Sequence, residues 1–124
     1  MKVKLLVLIL FLFSLTTESH ALTLKSPKKV LAIVIDDFGN DMEGTEEMLE
    51  LPIPLTVAVM PFLPTTEQDA KLAHSKGHEV IVHIPMEPKH GKKSWLGPGA
   101  ITTDLSDKEI RKRIENAIDS VPYA

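Results

Sequence analysis

Two adjacent carboxylates, Asp36 and Asp37, close the apolar run Ala32-Ile33-Val34-Ile35 and are followed by Phe38 and Gly39. Further on, His83 and Glu87 stand where a second apolar run gives way to Pro85. Carboxylates beside an imidazole are a donor set for a first-row divalent metal, zinc first among them. A catalytic zinc site has three protein ligands and an open position for water, whose pKa the ion lowers. A carboxylate beside the metal but not bound to it can then act as general base. The same residues have plainer uses. One Asp can cap a helix while the other faces water, His83 can be a hydrogen-bonded structural residue, and Glu87 can simply be solvated. Their coincidence at comparable strand ends favours chemistry.

A rival pair, His74 and His78, has the four-residue spacing that puts two imidazoles on one helical face. Gly77 intervenes and is expected to end that helix, which takes His78 off the face. His90 stands among Lys89, Lys92 and Lys93 and reads as a solvated basic loop. Trp95, in the same loop, can stack on a sugar ring, or it can plug the loop onto the domain. The sequence does not separate these two roles.

The elements that must position these groups follow from pattern. Val30 to Ile35 is rich in β-branched residues and free of charge, so it reads as a strand buried on both faces. Thr45 to Leu51 reads as a helix burying Met48, Leu49 and Leu51, stopped by Pro52. Leu55 to Met60 is a second strand. Thr65 and Gln68 are spaced as a capping box for a helix reaching Ser75 or Lys76, with Gly77 as its left-handed C-terminal residue. Glu79 to Ile84 is the third strand. Met86 to Thr103 is a long loop rich in proline and glycine, of a length usually given to function. Ser106 and Glu109 form a second capping box, and Ile110, Ile114, Ala117, Ile118 and Val121 keep helical spacing. Glu109 and Arg113 are spaced to pair on the wet face.

Strands alternating with helices imply right-handed βαβ units and a parallel sheet, an α/β fold. All strands of such a sheet end on one rim, so Asp36, Asp37, His83 and Glu87 can converge there. Three units cannot close a barrel, which normally takes about eight. The chain is therefore either a small open sheet or part of a larger array.

The N-terminus carries a different signal. Met1-Lys2-Val3-Lys4 is a short basic start, Leu5 to Leu15 is an apolar core too short to span a bilayer comfortably, and Ser19-His20-Ala21 offers a small-residue cleavage site. The expectation is a signal peptide over 1–21, cleaved after Ala21, and a secreted or periplasmic protein; the alternative is an uncleaved anchor. Residues 22–29 read as a tether and 30–124 as the domain. The mature chain carries a net charge of about −4, which argues against nucleic acid or an anionic membrane as the main partner. There is no cysteine, so an exported fold here must rest on packing or on metal.

In order, Ile35-Asp36-Asp37-Phe38-Gly39, Pro54-Leu55-Thr56-Val57-Ala58-Val59-Met60-Pro61 and Gly77 to Pro88, which holds His83-Ile84-Pro85-Met86-Glu87, resemble the NodB-homology polysaccharide deacetylases (carbohydrate esterase family 4). The likeness is closer to their divergent polysaccharide deacetylase branch, and it covers about Val30 to Tyr123. The resemblance implies a distorted (β/α) barrel and a metal-dependent hydrolase that removes N- or O-acetyl groups from a polysaccharide or peptidoglycan-type glycan. It implies Asp36 as general base and Asp37 and His83 as ligands of a divalent metal such as zinc; Trp95 stays a candidate sugar contact on its place in the loop alone. Glu87 occupies the place of the second histidine of the NodB pattern, four residues after the first, and can serve as a carboxylate ligand. The branch carries a later Asn-His-Met-Gly stretch, expected just past Ala124, so the chain is expected to be the N-terminal portion of the domain, with weak metal binding and little turnover alone. The alternative is a non-catalytic carbohydrate-binding or structural remnant of the same fold.

Overall fold

Three short parallel strands carry the fold: β1 (Val34–Phe38), β2 (Thr56–Val59) and β3 (Glu79–Val82), hydrogen-bonded in that order. The computed structural model describes residues 28–124, of which Leu31–Ala124 pack as one unit. The signal-peptide reading of residues 1–21 and most of the tether lie outside the described residues. Helix α1 (Thr45–Leu49) joins β1 to β2, α2 (Thr66–Ser75) joins β2 to β3, and α3 (Asp107–Ser120) follows a long loop that contains a 3-10 turn at Lys93–Trp95. The fold is α/β with a three-stranded parallel sheet, as the alternation of strand and helix patterns predicts. It accords with part of a NodB-like barrel rather than a closed one.

The register explains the core. Ile35, Val57 and Val80 stand side by side, as do Phe38, Val59 and Val82 two rows on, so one face of the sheet is a continuous apolar surface. Leu49 of α1, Ala70 and Ala73 of α2, Leu55 and Val121 close over it. The two small alanines let α2 approach the sheet closely. Val34, Thr56 and Glu79 share a row of the other face, and there Val34 is 56% exposed. The expectation of a first strand buried on both faces is therefore corrected. β1 starts later than Val30, pairs only with β2 among the described residues, and carries the two aspartates within its span. Helix α1 is also shorter than expected, and Leu51 beyond its end is exposed.

Helix α2 ends as its sequence demands. Gly77 adopts a φ of 84°, Gly77 N–H donates to His74 O at 3.0 Å and His78 N–H to Ala73 O at 3.0 Å, a Schellman closure. Its start differs from the capping box expected there. Thr65 makes no side-chain cap bond; its hydroxyl donates to Asp69 Oδ2 at 3.0 Å instead. The Ser106–Glu109 box of α3 is present in both directions. Because Glu109 closes that box, it does not form the expected ion pair with Arg113, whose guanidinium donates to Ala100 O. Ala117 on α3 and Val121 just past its end are buried, whereas Ile118 is exposed.

Candidate functional site

The site begins with an irregularity in β1. Ile35 pairs with Val57 but Phe38 pairs with Val59, so β1 spends one residue more than β2 over the same interval. Asp36 and Asp37 both stand opposite Ala58. In a regular strand, neighbouring side chains point to opposite faces; a bulge re-aims one of them. Here Asp37 takes a φ of 65°, a left-handed conformation that Asp tolerates better than most residues. The result is that two consecutive carboxylates reach the same neighbourhood.

The third donor comes from the end of β3. His83 N–H donates to Val59 O at 2.8 Å, which extends the β2–β3 ladder by one residue and fixes the histidine beside the bulge. One ligand atom from each of Asp36, Asp37 and His83 lies within 4.8 Å of the other two. His83 Nε2 stands 3.1 Å from Asp37 Oδ1. Both aspartates are exposed and His83 is half-buried, so the group is open to solvent on one side. Two carboxylates and an imidazole converging on one point could hold a divalent cation with positions left over for water. Apolar side chains of Ile35, Phe38, Met42 and Met48 wall a hollow beside the carboxylates.

The other residues singled out in the sequence are placed differently. The Glu87 carboxylate is not in this group. Its Oε2 accepts from both the amide and the hydroxyl of Thr103, each at 2.7 Å, and its Oε1 faces Lys93 Nζ at 3.6 Å. Those two Thr103 bonds, with a smaller contribution from Lys93, hold the Glu87 carboxyl below the ordinary range. Trp95 is 73% exposed, with Lys92 Nζ 5.9 Å from the ring centroid, so the indole does not plug the loop onto the core. His78 is buried: Leu55 N–H donates to its Nδ1 at 3.3 Å and its Nε2 lies 2.9 Å from Leu49 O. Both ring nitrogens are committed to backbone, which removes the His74–His78 pair as a metal site. His74 instead stacks on Tyr123 at 3.9 Å.

With that geometry in hand, the chain matches the family model described as divergent polysaccharide deacetylase over residues 33–124. The chain belongs to that family. It is 40% identical over 94 residues to uncharacterized protein YibQ of Escherichia coli, covering 76% of this chain and 29% of that one. It is 29% identical over 87 residues to an uncharacterized protein of Haemophilus influenzae, covering 70% of this chain and 30% of the relative. The chain thus spans less than a third of the length of these curated relatives. A crystal structure of an uncharacterized protein from Agrobacterium tumefaciens shares the fold, with a TM-score of 0.63 at 22% identity over 76% of this chain and 39% of the other.

The sequence reading of this family member missed the residues behind the bulge. Thr66, Asp69, Ala70 and Ala73 are the buried positions of α2, at the i, i+3, i+4, i+7 spacing of a core-facing stripe. Two polar residues within an apolar stripe are the signal that was available. Thr66 Oγ1 donates to Met60 O at 2.6 Å and accepts from Leu63 N–H at 2.9 Å, which pins the end of β2. Gly39 fits against the same corner. A Cβ there would lie 2.9 Å from Met60 O, and φ is +109°, so glycine is required on both counts.

Proposed function

We propose that the Asp36–Asp37–His83 group is the metal-binding part of a deacetylase site, and that the protein is an exported, metal-dependent hydrolase removing acetyl groups from an acetylated, peptidoglycan-type glycan. The observation that carries this reading is the bulge that turns both aspartates toward His83. A strand that only needed a helix cap would not spend an extra residue and a left-handed Asp on bringing two like charges together. Family membership supports the substrate class. The basic start, apolar core and small-residue site in residues 1–21 support export.

The donor set fits a divalent ion such as zinc: Asp37 and His83 would hold it through one oxygen and one ring nitrogen, and Asp36 is near without needing to bind. A metal held there would lower the pKa of water and polarise the acetyl carbonyl. Asp36 then accepts the proton that the attacking water gives up. His83 Nε2 and Asp37 Oδ1 lie 3.1 Å apart, so one ring nitrogen and one carboxylate oxygen already stand side by side at the place where the ion would bind. The apolar wall of Phe38, Met42 and Met48 suits the acetyl methyl. The exposed Trp95 face suits a pyranose ring farther along the glycan.

The test separates metal from turnover. Acetate release from an acetylated glycan is measured in a full-length relative that carries the same aspartate pair and histidine, with and without zinc, alongside zinc content. The expected result is zinc-dependent release that falls about 100-fold or more in Asp36→Asn while zinc is retained. Loss of zinc in Asp36→Asn would make Asp36 a ligand and overturn the role given to it. Release that is indifferent to zinc would overturn the reading as a whole.

A further inference from the structure

Asp69 is a buried carboxylate with no part in the chemistry above. It is 3% exposed, and among the described residues no Lys, Arg or His forms an ion pair with it. Burying a carboxylate without a counter-charge is costly, so the hydrogen bonds that hold it must be sufficient. Asp69 Oδ2 accepts from Gly39 N–H at 2.8 Å and from the Thr65 hydroxyl at 3.0 Å. The first of these reaches thirty residues back along the chain, so it is a long-range tie rather than a helix cap. Its position in the first turn of α2 leaves the carboxylate near the positive end of the helix dipole.

The tie belongs to a larger clamp. Gly39 O accepts from Thr65 N–H at 2.9 Å, so the first turns of α2 hold Gly39 on both of its peptide sides. Thr65 Oγ1 also accepts from Asp41 N–H at 2.9 Å. One residue earlier, Phe38 O accepts from Met60 N–H at 2.8 Å. The left-handed Asp37 is therefore fixed before by the Ile35–Val57 pairing and after by Phe38 and Gly39. A residue in that conformation persists where its surroundings over-determine it.

We infer that Asp69 is a positioning residue for the Asp36–Asp37–His83 group: through Gly39 it holds the bulge that keeps both carboxylates beside the imidazole. This rests on the metal-site reading for its consequence, but not for its geometry. It assigns a task to a side chain that touches no substrate and no reacting atom.

Two readouts in the 124-residue chain test it. The first is hydrogen exchange at the Gly39 amide together with the side-chain nitrogen resonances of His83, measured without metal. The second is zinc affinity by calorimetry. Asp69→Ala is expected to speed Gly39 exchange about 10-fold or more, to move the His83 resonances, and to weaken zinc about 10-fold. Asp69→Asn keeps an acceptor for Gly39 N–H and is expected to restore most of each value. Ala117→Gly, a substitution at the buried position of α3, outside the sheet and the clamp, supplies a variant of lowered stability in which the Gly39 and His83 signals stay in place. If Asp69→Ala fails to fold, Thr65→Val, which removes only the hydroxyl, is expected to show the same changes at smaller size. Unchanged Gly39 exchange and His83 resonances in the Asp69→Ala variant, or equal changes in Ala117→Gly, would overturn the inference. A wild-type chain that binds no zinc would defeat the metal reading alone, and the first readout would still decide the clamp.

Discussion

At the end of β1, Asp36 and Asp37 keep exposed carboxylates beside His83, whereas past the end of β3 the Glu87 carboxylate is engaged by Thr103 and Lys93. Both places lie on the same rim of a parallel sheet and both carry acids. The difference is in what the local backbone offers. After β3 the chain returns at once: Glu87 N–H donates to Ile101 O at 2.8 Å and Ile101 N–H to Pro85 O at 2.9 Å, with Met86 bridging Ile101. That return brings the Thr103 donors onto Glu87 and makes it the buckle of a loop neck. After β1 the Thr65 N–H goes to Gly39 O instead, Asp69 accepts from Gly39 N–H, and the aspartates are left available. Whether a rim acid is a ligand candidate or a structural acceptor is decided by where the next segment puts its N–H groups.

The contrast can be broken most sharply by substitution at the donors. Removing Asp37 or His83 as Asp37→Ala or His83→Ala is expected to weaken zinc binding well beyond about 10-fold by calorimetry, whereas Glu87→Gln leaves it within about 3-fold. Equal losses from all three would place Glu87 among the ligands and erase the distinction drawn here. A second comparison concerns the glycines behind each rim. Gly39 and Gly97 both have positive φ, but a Cβ on Gly39 meets Met60 O at 2.9 Å while one on Gly97 comes only to 3.8 Å from Met60 Cε. Gly39→Ala is expected to lower unfolding stability by about 2 kcal/mol or more, and Gly97→Ala by about 1 kcal/mol, from urea midpoints.

The smallest effect expected is a pH dependence confined to the loop neck. Hydrogen bonds from Thr103 hold the Glu87 carboxyl below its ordinary value, and the Lys93 ammonium, 2.7 Å from Asp104, is the leading cause that brings Asp104 to about 2. Acids whose folded-state pKa is depressed add stability above their unfolded pKa and lose it as pH falls through the folded value. The neck is therefore expected to hold at neutral pH and loosen progressively from about pH 4 toward pH 2. Trp95, the single tryptophan, sits inside that loop, so its fluorescence reports the change. Glu87→Gln is expected to remove the upper part of this transition. A fluorescence profile unaffected by Glu87→Gln would show that Glu87 does not fasten the neck.

Much of the fold was legible because its periodicities are strong. The β-branched runs at Thr56–Val59 and Glu79–Val82, the Gly77 stop and the Ser106–Glu109 box all act locally, and each stands where its residues predict. Asp36, Asp37 and His83 were legible as a group because a parallel sheet sends all its strand ends to one rim. What escaped was set by contacts distant in sequence. The bulge depends on how β1 meets β2, and no pattern within Val30–Gly39 announces an extra residue. Thr65 reads as a helix cap by its spacing to Gln68, but Asp69 competes for its hydroxyl once the chain folds. Glu87 reads as a rim acid until Thr103, sixteen residues on, returns to it.

The account turns on one place where a metal should sit. Crystals soaked in zinc and measured at the zinc absorption edge would locate it directly. The account predicts an anomalous peak about 2.0–2.2 Å from a carboxylate oxygen of Asp37 and from a ring nitrogen of His83. A peak at Glu87, or none between Asp37 and His83 at saturating zinc, would contradict it.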